Sequence, residues 1–368
     1  MNNKKLLNLE SLRGIAAILV VFFHFNINSH FNNNLTNNSW LMVDLFFVLS
    51  GFVISLNYID KLKTLRELYA FQEKRFLRLY PLHLLMLVIF LVIEFAKYIA
   101  EIKFDLVAYN RAFSSNNLYS FIANLFLIQN WVLPTTTYNS PSWSISAEFF
   151  TYAIFAVIVY CTQKLRGVMF VILVLSIILS YYILSINGMG TDNVAGPVRC
   201  IYSFFIGVLT QQIFAKISYN SRVRTSIPGV MLIALSIILV TFSGENSSGV
   251  TLLIPLVFSA TIFCLVSTNQ KCFINKILVN KVLVYFGKIS YSIYMIHFAV
   301  LWIIIQIMRF AFHFKTVSLS DGSMHLIVEN VFLADVISIF AILLIIIISH
   351  FSYYYIEMRF NRIRKSFQ

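Results

Sequence analysis

Residues 9–25 read LESLRGIAAILVVFFHF, and this apolar run points to a membrane protein. A helix that crosses the bilayer core needs about 20 mostly apolar residues, so we expect the first spanning helix at 12–31. The run contains Arg13 and His24, and no small-residue cleavage site follows it. We therefore interpret it as a retained span and not as a cleaved signal peptide.

The composition extends this interpretation to the whole chain. Of the 368 residues, 59% are hydrophobic and 12% are charged, and the mean hydropathy is +0.80. A soluble protein of this size needs more polar surface, so the pattern predicts an all-α, polytopic transmembrane helical bundle. We expect a single membrane-embedded domain over 1–368, with no added extracytoplasmic domain. About ten spanning helices are predicted, at 12–31, 40–58, 79–100, 143–162, 167–186, 197–215, 227–243, 250–267, 289–312 and 331–355.

The distribution of basic residues predicts the orientation of the bundle. The chain carries 28 Lys and Arg against 15 Asp and Glu, a net charge of +13. Most of the basic residues fall in loops on one side, and that side is the cytoplasm in most membrane proteins. We therefore expect both termini inside (N-in, C-in), and membrane topology rather than nucleic-acid binding accounts for the charge. The outer loops, such as NNNLTNNS at 32–39, are polar and nearly uncharged, which suits a face that meets water and sugar.

The segment YSFIANLFLIQNWVL, residues 119–133, does not fit this alternation. It is apolar but short, and both of its flanks belong to the outer side. We expect it to be re-entrant or to lie along the outer surface, packed on protein.

The first span contains the strongest chemical signal. Arg13 and His24 are eleven positions apart, which places them on one helix face and roughly 16 Å apart along the axis. This puts Arg13 near the inner interface and His24 near the middle of the membrane. Glu10 is three positions before Arg13, close enough to pair with it. Ionisable residues within a span are costly and by default mark a functional site. Taken alone, Arg13 could instead snorkel to the interface, and His24 could make an interhelical hydrogen bond.

Further motifs follow in order along the chain, and together they resemble one family. In the stretch at 9–25, an acidic residue precedes an arginine, and ten residues separate that arginine from a histidine. This pattern resembles the first helix of the acyltransferase-3 family of membrane O-acyltransferases. Aspartate is commoner than Glu10 at the acidic position, and Thr151 stands where the family usually has phenylalanine. The other matching segments are VDLFFVLSGFVIS (43–55), KRFLRLYPLH (74–83), SWSISAEFFTY (142–152), ISYSIYMIH (289–297) and SYYYIEMRF (352–360).

The resemblance implies an activity. Members transfer an acyl group, most often acetyl, from cytoplasmic acyl-CoA to a hydroxyl of a glycan or lipid-linked glycan, such as lipopolysaccharide O-antigen or exopolysaccharide. They do so as multi-pass proteins of the bacterial inner (cytoplasmic) membrane, among membrane lipids. We expect acetyl-CoA as the donor and no metal. The segment 43–55 includes Ser50-Gly51, which would let two helices approach closely.

The resemblance also implies roles for individual residues. His24 would act as a general base or as a transient acyl carrier. Glu148 would orient His24, while Arg75, Arg78 and Arg13 would hold the phosphates of CoA. The catalytic set is thus His24, Glu148 and Arg13, supported by Glu10, Ser144, Trp143 and His297.

Other interpretations of these residues stay open. Arg75 and Arg78 could be ordinary basic residues of an inner loop, and Trp143 an interfacial aromatic. A secondary transporter could use Arg13, His24 and Glu148 as a substrate or proton path. A non-catalytic partner of a polysaccharide export machine is a further alternative. The seven histidines form no HExxH motif and the four cysteines no CxxC motif, so metal chemistry is not indicated.

Overall fold

The computed structural model describes residues 7–108, 110–217, 225–244, 248–269, 271–318 and 324–360. It is a helical bundle with one short antiparallel hairpin. In chain order the elements are α1 (Leu7–His24), α2 (Asn34–Asn37), α3 (Met42–Tyr58), α4 (Leu65–Phe104), α5 (Leu118–Leu125), α6 (Gln129–Val132), α7 (Trp143–Cys161), α8 (Arg166–Asn187), α9 (Ala195–Lys216), α10 (Ile227–Phe242), α11 (Ser248–Ser267), α12 (Phe273–Leu278), α13 (Lys281–Lys288), α14 (Ser290–Phe310), β1 (Lys315–Ser318), β2 (Met324–Ile327) and α15 (Val331–Ser352).

The predicted multi-pass membrane bundle is confirmed. Within the described ranges, nine helices are long and apolar enough to cross a bilayer. The tenth predicted span is present as α10, but it has only 16 residues. At 1.5 Å per residue, α10 is about 24 Å long, which is shorter than a typical hydrocarbon core of about 30 Å.

The first span is displaced from its predicted position. The sequence placed it at 12–31, whereas α1 ends at His24. Beyond His24 the chain bonds to the hairpin: Leu326 donates its N–H to the carbonyl of Asn26 at 2.9 Å, and the Asn28 side chain accepts from the Val328 N–H at 2.8 Å. His24 therefore lies at the end of a helix and not in its middle, because these polar contacts draw the following residues away from the helical path.

The third span begins earlier than predicted. The sequence assigned 59–78 to an inner loop, whereas α4 already starts at Leu65 and runs for 40 residues. A capping box opens it, since the Thr64 side chain accepts from the Glu67 N–H and the Glu67 side chain accepts from the Thr64 N–H. Arg75 and Arg78 therefore lie on a helix and not in a loop, and Arg75 is buried.

The segment 119–133 forms no span. It folds as the short helices α5 and α6, as expected for a re-entrant or surface segment. The carbonyl of Asn124 lies 2.9 Å from Nε2 of His83 on α4, and the Asn124 side chain donates to Thr137 at 2.8 Å. These bonds satisfy polar groups in a part of the chain that has no long helix of its own.

Contacts between connecting segments gather them at two ends of the bundle. At one end, which we call the basic end, Arg166 pairs with Asp60, and Gly287 of α13 packs against the backbone of Glu10. At the other end, which we call the hairpin end, His30 pairs with Asp335 at 2.7 Å and Asn38 bonds to the carbonyl of Thr241 at 3.3 Å. The loops at Asp60 and Arg166, which are predicted to be cytoplasmic, lie at the basic end; the assignment of that end to the cytoplasm stays a prediction.

Helices α3 and α9 meet through two glycines. A Cβ atom added to Gly51 would lie 1.9 Å from the carbonyl oxygen of Phe204, and one added to Gly207 would lie 2.1 Å from that of Val48. Any side chain at either position would therefore push the two backbones apart. The close approach expected at Gly51 is confirmed.

A buried ion pair joins the same two helices. The Arg199 guanidinium donates to both carboxylate oxygens of Asp44, at 2.6 to 3.1 Å, and the two side chains are 1% and 0% exposed. Ser203 donates to the same carboxylate at 2.9 Å, while Arg199 also donates to the carbonyls of Met189 and Trp40. Charges buried this deeply are tolerated only when they are paired and hydrogen-bonded.

We predict that Asp44→Asn destabilises the fold strongly. It leaves the Arg199 charge buried without its counter-ion, which costs about 3–5 kcal/mol in the free energy of unfolding. Thermal unfolding of the purified protein in detergent measures the loss. The matched control is Asp60→Asn, which removes the Arg166 partner where the two side chains are 78% and 49% exposed; its expected cost is below about 1 kcal/mol. Equal stability of the two variants would contradict the assignment.

Candidate functional site

A cavity between α1, α3, α4, α7 and α14 collects most of the residues that the sequence singled out. Arg13, Arg75, Arg78, Ser144 and Glu148 all line it. They come from three helices that are distant in sequence, so the bundle has gathered three positive charges and one carboxylate around one space. Aromatic and aliphatic side chains of α3 and α14 complete the wall.

Two of the three arginines are held by protein groups. Arg13 of α1 lies 3.6 Å from the carboxylate of Glu10, so the predicted pair is present. Arg75 of α4 lies over the rings of Tyr58 and Tyr152, at 5.5 and 5.9 Å from the centroids, and donates to the Tyr58 hydroxyl at 3.4 Å. These cation–π contacts hold the Arg75 guanidinium in a fixed orientation at the cavity wall.

Arg78 differs from the other two arginines. It lines the cavity one helical turn beyond Arg75, and in the part of the chain that the structure describes it makes no hydrogen bond and no ion pair. Its nearest opposite charges are the carboxylates of Glu10, Glu148 and Glu357, which attract it without direct contact. An arginine carries its charge at all physiological pH values. Arg78 is therefore available to an anion that enters the cavity.

Glu148 belongs to a chain of polar side chains on the same wall. It accepts a hydrogen bond from the Tyr152 hydroxyl at 2.5 Å, and Tyr152 lies 3.5 Å from the hydroxyl of Ser50. A carboxylate at this depth needs a partner or a wet cavity, and Glu148 has the Tyr152 hydroxyl as its partner and lines the cavity. Its predicted role of orienting His24 stays a prediction.

The first residues of α7 are fixed by contacts with other helices. The Ser144 hydroxyl is 2.8 Å from that of Tyr294 on α14. Trp143 is buried, with Arg199 of α9 over its ring at 5.4 Å and Phe47 against its edge. The interpretation of Trp143 as an interfacial aromatic is therefore wrong, since its indole packs inside the bundle.

His24 and His297 form a pair beside the cavity. Neither is among the described residues that line it. Nε2 of His297 lies 3.2 Å from Nδ1 of His24, and His297 is fully buried. Tyr294, which does line the cavity, has its ring centroid 5.8 Å from that of His297. The pair thus adjoins the cavity through Tyr294.

The contacts of this pair assign a tautomer to each ring. Nδ1 of His297 lies 3.1 Å from the carbonyl oxygen of Ile293, so Nδ1 carries the proton and Nε2 the lone pair. Nδ1 of His24 faces two acceptors, the Val20 carbonyl at 3.0 Å and that lone pair of His297. Nδ1 of His24 therefore carries its proton as well. The basic nitrogen of His24 is Nε2.

The sequence interpretation missed Asp44 and Arg199. Both lie in spans predicted from apolar length, one in the second and one in the sixth. Two opposite charges within otherwise apolar spans are a signal that they pair, because an isolated charge there is costly. That signal could have predicted the contact between α3 and α9.

The fold and the cavity define a multi-pass membrane protein with a cationic cavity beside a histidine pair. A family model for the acyltransferase domain of the acyltransferase-3 family matches residues 6–351. The chain belongs to this family. No solved structure matches it.

Relatives with names are similar over parts of the chain. Acyltransferase MdmB of Streptomyces mycarofaciens is 31% identical over 163 residues, covering 41% of this chain and 38% of that protein. A Staphylococcus aureus (strain COL) protein, provisionally named an O-acetyltransferase, is 25% identical over 327 residues, covering 80% of this chain and 50% of that protein. Protein 2 in the picA locus of Rhizobium radiobacter is 31% identical over 157 residues, covering 40% and 79% of the two chains. The matched part of this chain thus covers half the length or less of MdmB and of the Staphylococcus aureus protein.

Proposed function

We propose that this protein transfers an acetyl group from cytoplasmic acetyl-CoA to a hydroxyl of a cell-surface polysaccharide, such as lipopolysaccharide O-antigen or exopolysaccharide. It would do so in the inner membrane of a bacterium. The observation that carries the proposal is the cavity with Arg13, Arg75 and Arg78 on its wall, beside the His24–His297 pair. Membership of the acyltransferase-3 family supports the reaction class.

The arginines supply the donor site. CoA carries several phosphates, and arginine binds phosphate through paired, charge-assisted hydrogen bonds. Arg78 is the primary ligand in this proposal, because it has no hydrogen bond or ion pair to another described residue. Arg13 and Arg75 add positive potential and line the same space.

His24 supplies the chemistry in one of two ways. As a general base, its Nε2 takes the proton of the acceptor hydroxyl while the oxygen attacks the thioester carbonyl, the C–S bond breaks and the CoA thiolate leaves. As an acyl carrier, Nε2 attacks the carbonyl and the C–S bond breaks to release the thiolate; the hydroxyl oxygen then attacks the acyl carbon, the C–N bond to the imidazole breaks, and the hydroxyl proton passes to Nε2. We favour the first route because it needs no covalent intermediate.

His297 acts through His24 in either route. Its Nε2 lone pair shares the Nδ1–H of His24 with the Val20 carbonyl, and both contacts hold the ring and keep the basic nitrogen at Nε2. When His24 gains a proton or an acyl group, the positive charge strengthens this hydrogen bond. His297 thus takes the position that a carboxylate has in a Ser-His-Asp triad, but as a neutral acceptor.

We propose that the acceptor enters from the hairpin end. The loop at 32–39 is polar and carries no charged side chain, which suits neutral sugars rather than ionic substrates. Donor and acceptor would then approach from opposite ends of the bundle.

We predict that His24→Ala lowers acetyl transfer by about 10²–10⁴-fold, because general base catalysis contributes about that much. The assay uses membranes with radiolabelled acetyl-CoA and candidate glycans. The matched control is His30→Ala, a histidine at the hairpin end that pairs with Asp335 and should leave transfer unchanged. Full activity of the His24 variant would exclude both routes. A labelled His24 peptide, found by mass spectrometry after incubation without acceptor, would select the acyl-carrier route.

His297 has a separate test. His297→Ala should lower kcat by about tenfold, because the loss of one hydrogen bond costs about 1.4 kcal/mol. The KM for acetyl-CoA and the KM for the glycan should change little. His297→Gln, which restores an acceptor oxygen, should recover part of the loss. If both variants have the same kcat, the proposed hydrogen bond to His24 has no role in catalysis.

Arg78→Gln should raise the KM for acetyl-CoA by about tenfold or more, since hydrogen bonds to charged groups contribute about 1.5–3 kcal/mol. The KM for the glycan should stay the same. Arg166→Gln is the control, because Arg166 lies at the basic end in an exposed ion pair with Asp60. An unchanged KM for acetyl-CoA in the Arg78 variant would remove Arg78 from the donor site.

A further inference from the structure

A second, smaller crevice lies on the other side of the start of α7. It is enclosed by α6, by the loop that precedes α7, and by Ser142 and Trp143. The cationic cavity begins at the next residue, since Ser144 lines it. The two spaces therefore share the first turn of α7 as a common wall.

Three buried polar atoms around this crevice have no hydrogen-bond partner among the described residues. They are the side-chain oxygens of Gln129, Asn130 and Ser142, and these residues are only 5%, 4% and 1% exposed. A buried acceptor that finds no partner costs about 1–3 kcal/mol. Eleven side-chain atoms of the described residues are buried without a partner, and three of them surround this one small space, which indicates that something polar occupies it.

The other atoms of these side chains are firmly held. The Gln129 amide donates to the carbonyl of Ser142 at 3.2 Å, and the Asn130 amide donates to the carbonyl of Thr191 at 2.8 Å. The Asn130 side chain also rests on Gly196, where an added Cβ atom would lie 2.5 Å from its oxygen. The free oxygens are thus fixed in place rather than able to turn toward other partners.

The lining selects a neutral, hydroxyl-bearing group. Apart from the amides and Ser142, it consists of Thr135, Thr136, Thr137, Ser140 and Trp143, without a charged side chain among the described residues. Its volume is about 10 Å³, which matches one water molecule or one hydroxyl group. The three oxygens accept hydrogen bonds, and a hydroxyl can donate one while its own oxygen accepts from the Ser142 hydroxyl.

We infer that this crevice is an anchoring subsite for one hydroxyl of the sugar acceptor, which donates to the side-chain oxygen of Gln129 or Asn130 and accepts from the Ser142 hydroxyl. The inference rests on the proposed function for the identity of the acceptor. A sugar whose hydroxyl is anchored here would lie across the first turn of α7 from the cationic cavity. A second hydroxyl of the same sugar could then face the donor.

Two variants test the subsite. Ser142→Ala removes one hydroxyl, and Gln129→Leu replaces an amide by an apolar group of similar size. The control is Ser338→Ala, because Ser338 is equally buried but bonds to Ala334 in its own helix α15. The full chain in lipid nanodiscs is examined with methyl pyranosides of glucose, galactose, mannose and rhamnose. Binding is measured by saturation-transfer NMR, and acetyl transfer by radiolabelled acetyl-CoA.

We expect at least one glycoside to bind the unmodified protein and the Ser338 variant. In each crevice variant, the dissociation constant of that glycoside and its KM in the transfer assay should rise by about tenfold. The KM for acetyl-CoA should not change. Unaltered glycoside binding in both crevice variants, or no binding to the unmodified protein, would overturn the subsite and leave the crevice to a structural water.

The same experiment separates the subsite from the proposed function. Glycoside binding that is lost in the crevice variants, without any acetyl transfer by the unmodified protein, would support the subsite and contradict the acetyltransferase. Acetyl transfer that proceeds with the same glycoside KM in all variants would support the acetyltransferase and contradict the subsite.

Discussion

The Asp44–Arg199 ion pair is the interaction on which the arrangement of the site depends. It lies where α3 and α9 approach so closely that Gly51 and Gly207 have no room for a side chain. Buried opposite charges are stable only when they are hydrogen-bonded to each other. Asp44 and Arg199 meet in this way in one alignment of α3 and α9, so the pair specifies how the two helices align. Arg199 also lies over the ring of Trp143, and this contact carries the alignment to the first turn of α7.

That first turn separates the two spaces from which we derive function. On one side lies the cavity with Arg13, Arg75 and Arg78, and on the other the neutral crevice at Gln129. Tyr294 bonds to Ser144 on the wall and lies beside His297, so it connects the wall to the histidine pair. Under the proposed function, a charged donor and a neutral acceptor would have different surroundings on either side of this shared turn.

The lengths of the apolar segments alone predicted the bundle, because a span in lipid must form its backbone hydrogen bonds within itself, as a helix does. The prediction failed where polar contacts override hydropathy: α4 begins in a charged stretch at Leu65, and α1 ends at His24 because Asn26 and Asn28 bond to the hairpin region. Family motifs indicated most of the site residues, and helical phase related Arg13 to His24. Neither could show that His297 bonds to His24 across 273 positions, since that contact arises only from packing.

Sidedness tests the central claim, that donor and acceptor approach from opposite ends of the bundle. The protein is reconstituted into sealed vesicles, and its orientation is determined by labelling single cysteines placed at Lys61, at the basic end, or at His30, at the hairpin end. Radiolabelled acetyl-CoA and a membrane-impermeant glycan are then supplied on the same side or on opposite sides. We expect transfer only when acetyl-CoA faces the basic end and the glycan faces the hairpin end. Transfer with both substrates on one side, or with the two sides exchanged, would contradict it.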